Sequence, residues 1–154
     1  NLGDDITYSG TVAAAMEGTL LGIPAIALSQ VGVYGEGMRW GATEHHAERV
    51  IRRLVLEQWP RNVFINVNFP DVPADEVGST EITVQGRRKI GHVVTPGCDP
   101  RGHGFVWIGT DRDEDPFLEG SDLKAVNAGR ISVTPLCVDL THRRSRAQLR
   151  KLFS

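Results

Sequence analysis

NLGDDITYSGTVAAAMEGTLLGIPAIALS, residues 1–29, sets a small polar loop against the start of an apolar helix, and its order of loop, helix and strand decides the fold. Val12, Ala15, Met16 and Leu20 recur at helical spacing, Gly22 suits the left-handed residue beyond a helix end, and Pro24 blocks continuation. The helix is therefore predicted to end near Leu21. Ile23 to Leu28 is then a nearly uninterrupted apolar run of strand length, the pattern of a strand covered on both faces. Loop, helix and buried strand make half of a parallel α/β unit.

In such units ligands sit at the helix N-terminus, where first-turn N–H groups lack partners and the helix dipole adds partial positive charge. Ser9, Gly10 and Thr11 bring hydroxyls, close backbone approach and free amides to that point, and phosphate is the natural guest. From spacing alone, Ser9 as a plain N-cap and Gly10 as a packing glycine account for the same residues.

With 154 residues, 40% of them apolar and 23% charged, the chain has the size and composition of one globular domain. The net charge of -2 gives no global pull toward nucleic acid or anionic membrane. Cys98 and Cys137 have no C-x-x-C spacing, which argues against a disulfide framework or structural zinc and for a reducing compartment. No apolar run approaches membrane-spanning length, so the expected location is the cytoplasm, with no membrane partner.

Beyond the first strand, Gly32, Gly35, Gly37 and Gly41 mark an irregular loop, but their spacing is wrong for a dinucleotide fingerprint. Thr43 reads as the N-cap of a helix with an apolar stripe of Ala47, Val50, Ile51, Leu54 and Val55, running to Trp59 and stopped by Pro60. His45 and His46 are adjacent on that helix and diverge by about 100 degrees, which disfavours joint chelation. Val63 to Val67 is a second buried strand, with Asn66 and Asn68 bracketing its end, where sites gather in open α/β sheets. Asn68 there is open to two readings, lining a pocket or terminating a strand before Phe69-Pro70.

Glu81 to Gln85 alternates like a half-buried antiparallel strand. Arg87, Arg88 and Lys89 form a small basic cluster, either solvated or steering an anion. Arg101 serves equally as a phosphate donor or as a partner of Asp99 in a turn. Phe105 to Gly109 reads as a strand, expected to pair near Glu81 or with a neighbouring subunit. The acidic run from Asp111 to Asp115 fails as an EF-hand, because its sixth position is Pro116 and its twelfth Asp122, and reads as an exposed loop. Ser121 or Asp122 caps a short helix ended by Gly129, and Arg130 to Thr134 is a final strand closed by Pro135. The basic tail after His142 lacks interleaved aromatics, so no stable nucleic-acid partner is expected.

Four ordered segments, NLGDDITYSGTVAAAMEG at 1–18, INVNFPD at 65–71, DPRG at 99–102 with WIG at 107–109, and SVTPLCVDLT at 132–141, resemble the SurE survival proteins, the stationary-phase nucleotidases. The resemblance covers nearly the whole chain. It implies an α/β, Rossmann-like three-layer fold with a parallel sheet, an antiparallel β extension over 81–109 and a C-terminal arm over 138–154. It also implies a metal-dependent phosphomonoesterase acting on nucleoside 5'- and 3'-monophosphates and on short polyphosphate, with one Mg2+ or Mn2+ per subunit, assembled as a homo-dimer or homo-tetramer.

In that family the metal ligands are an Asp-Asp pair, a Ser, and an Asn in a Ser-Gly-(Val/Ile)-Asn segment preceding the equivalent of Asn1, and none of these matches a position here. The chain accordingly reads as the C-terminal part of a longer protein, with no metal ligand of its own. Asp4 and Asp5 match variable acidic positions of the family and not its metal-binding pair. Carried over position by position, Asn1 and Ser9 take catalytic roles, and Ser9, Gly10 and Thr11 bind the phosphate. Some members tie down the C-terminal arm with an Asp and a His, but there the His lies one residue further from the Asp than His142 lies from Asp139. The competing reading is a non-catalytic assembly piece that contributes an oligomer interface.

Overall fold

The structure is a computed structural model that describes residues 1–33, 35, 37–90, 93–109, 112–114 and 118–153. A 3-10 turn over Gly3–Tyr8 leads into α1, Gly10–Leu20. Ser9 caps α1 by accepting from the Val12 N–H, and Gly22 takes φ 79° just past the end, as the sequence predicts. Val12 and Ala15 are buried, with Met16 half-buried beside them, whereas Leu20 of the expected stripe faces solvent. The strand after α1, β1, is Ile26–Gln30, starting later than expected and leaving Ile23 exposed. Its pairing with the next strand begins only at Ile26, opposite Ile65.

The second helix, α2, spans Gly41–Leu54, so it starts before Thr43 and stops short of Trp59. Thr43 is no cap, because its hydroxyl donates to Gln30 Oε1. Ala42 and Val50 are buried against the sheet, while Val55, beyond the last turn, is exposed.

The remaining strands are β2 Val63–Phe69, β3 Thr80–Ile82, β4 Arg88–Ile90, β5 Val94–Cys98, β6 Gly104–Ile108, β7 Arg112–Glu114 and β8 Ile131–Cys137. Two further helices are α3, Asp122–Asn127, and α4, Arg143–Arg150. The central sheet has the order β1-β2-β8-β3. β1 and β2 are parallel, as the loop-helix-strand reading implies, but β8 runs antiparallel to β2, so this α/β sheet is mixed. Glu81 and Ile82 do not open an antiparallel extension. They lie in β3, which joins the central sheet parallel to β8.

Pro135 does not close β8 either, since the strand continues to Cys137. Pro135 faces Ile65, whose own N–H turns away to Ala25 O, so the two form a non-hydrogen-bonded pair. The missing proline N–H lies on the β3 side, where the parallel ladder would next reach Thr83, and the β3–β8 pairing ends with Ile82 and Val133, Thr83 N still donating to Val133 O.

Two small antiparallel ribbons stand off the sheet, β4 with β7 and β5 with β6. The run from Phe105 to Ile108 thus pairs with Val94–Cys98, not with the strand near Glu81, and its side chains stay at least 49% exposed. Within the acidic run, 112–114 is strand and not loop, and Asp111 and Asp115 lie outside the described residues.

One buried carboxylate ties these parts together. Asp122, 1% exposed, accepts from Leu123 N and Gly86 N on Oδ1 and from Gly3 N on Oδ2, each at 2.8 Å. A side chain at Gly3 is excluded, because φ is +52° and a Cβ would meet Arg88 and Gly86 atoms at 3.1 to 3.2 Å. A Cβ at Gly86 would fall 2.8 Å from Asp122 Oδ1. Hydrogen bonds to a buried charge contribute about 1.5–3 kcal/mol each, and orphaned N–H groups add desolvation cost. Asp122→Ala is therefore expected to lower the unfolding free energy by at least about 3 kcal/mol in urea titrations. A loss below about 1 kcal/mol would show that the three loops are held by other contacts.

Candidate functional site

The side-chain period of two divides β2 into two chemically different faces. Ile65, Val67 and Phe69 join Ile131 and Val133 of β8 under α2, while Phe64 packs with Val12, Ala15 and Ala27 under α1. On the Phe64 face but nearer the C-terminal end of β2 stand Asn66 and Asn68, both fully buried. Their register partners are polar too: Thr134 faces Asn66, Ser132 faces Asn68, and Ser29 of β1 lies beside Asn68. The hydroxyls of Thr83, Ser132 and Thr134 bond one another, with Thr83 Oγ1 2.8 Å from Ser132 Oγ and 2.7 Å from Thr134 Oγ1.

The N-terminal loop lies over this polar patch. Asn66 Nδ2 and Asn68 Nδ2 both donate to the Asn1 carbonyl, at 2.8 and 3.1 Å, and the Asn1 nitrogen donates to Ser29 Oγ at 2.9 Å. Asn1 Oδ1 in turn accepts from Ser9 Oγ at 2.6 Å, and Ser9 Oγ accepts from Val12 N at 3.1 Å. Leu2 anchors the loop by packing with Leu123 and Val126 of α3. The four residues expected to form the site are thus brought together at the α1 N-terminus.

Ser9 is engaged twice, as N-cap and as donor to Asn1, so donating to an anion requires its hydroxyl to turn from Asn1 Oδ1. Gly10 and Thr11 are exposed, and their N–H groups have no protein acceptor among the described residues. Nothing lies within 4 Å of where a Gly10 Cβ would stand. The helix therefore presents two open amides and the Thr11 hydroxyl to solvent, an arrangement suited to an oxyanion.

Other sequence candidates are placed elsewhere. Asp4 Oδ2 accepts from Arg88 N at 3.0 Å and Asp5 Oδ2 lies 3.7 Å from Arg88 Nε, so this acidic pair fastens β4 to the N-terminal turn and occupies part of the basic cluster. Among the described residues no group of three or more His, Cys, Asp or Glu is placed to hold a metal ion. His46 Nε2 meets Ala74 O at 2.8 Å, and His45 is exposed with its ring edge-on to that of His46. His142 caps α4 through Ser145, and Asp139 bonds Thr141 N and Arg143. What the sequence reading missed is the polar partnership of Asn66 and Asn68 with Ser29, Ser132, Thr134 and Asn1. The signal was the alternation in F-I-N-V-N-F and S-V-T.

Arg101 is placed in the turn between β5 and β6. Asp99 Oδ1 accepts from the backbone N–H of Arg101 and of His103, both at 2.8 Å, which pins the β5–β6 turn without the guanidinium. The His103 N–H, with its ring and the other turn amides, holds the Asp99 carboxyl below its ordinary 3.8. A depressed carboxylate pKa stabilises the turn above the ordinary value, and that support is lost as pH falls through the lowered one. Amide exchange at Arg101 and His103, corrected for intrinsic pH dependence, should accelerate only below about pH 3.8. Constant protection down to pH 2 would show that Asp99 does not hold the turn.

Fold and site together define an α/β protein with an open helix N-terminus suited to an oxyanion. The family model for survival protein SurE matches residues 1–92, and the chain belongs to the SurE family. It is 59% identical to a "5'-nucleotidase SurE" of Paramagnetospirillum magneticum over 99% of this chain and 59% of that protein. It is 53% identical to a protein of the same name from Rhodospirillum rubrum, over 92% of this chain and 55% of that one. Among solved structures, the SurE protein of Aquifex aeolicus matches with TM-score 0.80 and 36% identity, over 100% of this chain and 61% of that one. The chain thus spans somewhat more than half the length of the curated relatives it matches. No helix among the described residues is long and apolar enough to cross a membrane.

Proposed function

We propose that the intact protein is a metal-dependent phosphomonoesterase hydrolysing nucleoside 5'- and 3'-monophosphates, and also short polyphosphate, in the cytoplasm. The observation that carries this reading is the open α1 N-terminus, with Gly10 and Thr11 amides free beside the Ser9–Asn1 pair. Relatives named 5'-nucleotidase SurE at 59% and 53% identity support it.

In this reading the Gly10 and Thr11 N–H groups and the Thr11 hydroxyl receive phosphate oxygens, the helix dipole adding to their attraction. Ser9 turns its hydroxyl from Asn1 to the phosphate, and the Asn1 carboxamide adds a neutral polar group at the edge. Fixed neutral donors aimed at the transferring group stabilise charge that grows in the transition state, with no lysine or arginine required. The expected Mg2+ or Mn2+, one per subunit, would supply Lewis-acid chemistry. The described residues do not present a ligand set for it, so every step assigned here belongs to the phosphate donors.

A homo-dimer or homo-tetramer fits the exposed apolar surface. Phe105, Val106, Trp107 and Ile108 of β6 and Leu149, Leu152 and Phe153 at the C-terminus are each at least 49% exposed. The same surface is what favours the competing assembly-piece reading, which phosphatase assay of the intact protein separates from this one.

Ser9→Ala in the intact protein tests the site. Losing an oxyanion-type donor is expected to lower kcat about a hundredfold or more, whereas losing only an N-cap costs about 1 kcal/mol of stability and spares turnover. Full activity per folded Ser9→Ala molecule would remove Ser9 from the phosphate site.

A further inference from the structure

We propose that Asn66 and Asn68 are positioning residues, which hold the Asn1 carbonyl with their carboxamide N–H groups and through Asn1 set where Ser9 Oγ stands. This rests on the reading of Ser9, Gly10 and Thr11 as the phosphate site.

The geometry is a continuous relay from sheet to helix. Two donors from one strand, at 2.8 and 3.1 Å, fill both lone pairs of a single carbonyl oxygen and so fix the direction of the Asn1–Leu2 peptide. That direction places the Asn1 side chain, whose Oδ1 takes the Ser9 hydroxyl at 2.6 Å, and Ser9 in turn is locked to α1 at Val12 N. Because β2 is central in the sheet and both asparagines are 0% exposed, the relay starts from a rigid base. Displacements of about 1 Å in groups that contact a reacting centre cost about a hundredfold in rate, so such a base has value at a catalytic donor.

Stability does not explain these side chains. Asn66 Oδ1 and Asn68 Oδ1 are buried without a hydrogen-bond partner among the described residues. An orphaned buried acceptor is unfavourable, and an apolar side chain of similar shape removes that penalty. The neighbouring polar groups behave differently, since Thr83, Ser132 and Thr134 close their hydroxyls on one another. The asparagines alone direct their donors out of the sheet toward the loop that carries the site. Departures from a well-satisfied core tend to fall where function requires them.

The test uses the intact protein with p-nitrophenyl phosphate as substrate and inorganic phosphate as competing ligand. Asn68→Asp keeps shape but replaces the donor by an acceptor, and Asn66→Leu removes both donor and orphaned acceptor without opening a large void. Each is expected to lower kcat about tenfold, the scale seen for outer partners of site residues, and to raise the Ki of inorganic phosphate. Asn66→Leu is expected to do so with an unchanged or higher Tm, which a merely structural residue would not. If Asn68→Asp does not fold, Asn66→Leu alone decides.

Coupling to Ser9 supplies the specific readout. Ser9→Ala, which costs about a hundredfold in the wild-type background, is expected to cost only about tenfold on top of Asn66→Leu, because a residue that acts through Ser9 has already removed part of the same contribution and residues in one network are non-additive. A stable Asn66→Leu enzyme with wild-type kcat and Ki, or a Ser9→Ala penalty undiminished in that background, overturns the positioning role while leaving the phosphate site standing. Wild-type kcat in Ser9→Ala alone overturns both.

Discussion

The two-residue period of β2 is the constraint on which the rest depends. One strand must supply apolar side chains to the layer under α2 and polar ones to the loop before α1, and F-I-N-V-N-F does both by alternation. A slip of one residue in its register would send Asn66 and Asn68 into the core with Val50 and turn Ile65 and Val67 onto the polar patch. The apolar face alone fixes the register, since Val67 and Phe69 are fully buried and burying such side chains contributes about 1.5–3 kcal/mol each. The polar face is therefore positioned by packing it does not itself provide.

The loop from Asn1 to Ser9 is held by different physics at different points along its length. At Asn1 the hold is a pair of neutral donors on one carbonyl, and at Gly3 it is a buried charge, Asp122, which also gathers Gly86. Between them Leu2 packs against α3. The consequence is that the amide end of α1 faces solvent while everything behind it is fixed, so an anion meets donors that need little reorganisation. The β4–β7 ribbon shares in this hold, through Arg88 to Asp4 and Asp5.

Much of this was legible in sequence. Gly22 and Pro24 located the end of α1, and Ser9 its start, because helix ends obey local rules. Strand ends were less legible: Ile23 is as apolar as Ile26, and only pairing with Ile65 decides where β1 begins. Thr43 has the chemistry of a cap but serves Gln30, and Glu81 and Ile82 have the pattern of an antiparallel strand but pair parallel with β8. Pro135 reads as a terminator, yet it lies opposite Ile65 in a non-hydrogen-bonded pair, so the β2–β8 pairing runs on to Cys137 while the β3–β8 pairing ends at Val133. At the site, Ser9, Gly10 and Thr11 followed from helix-terminus chemistry, whereas the hydrogen bonds from Asn66 and Asn68 to Asn1 span more than sixty residues and leave no local trace. Asp122 is the same case, a residue with the composition of a helix start whose partners lie in two other loops.

The central claim is that oxyanions bind at the N-terminus of α1. An amide chemical-shift titration of isotope-labelled intact protein with inorganic phosphate tests it most directly. The account predicts that the Gly10 and Thr11 amides move most, downfield and saturably, with Ser9 and Val12 following. Saturable shifts centred elsewhere, at the Arg101 turn or along the basic α4, with Gly10 and Thr11 unmoved, would contradict it.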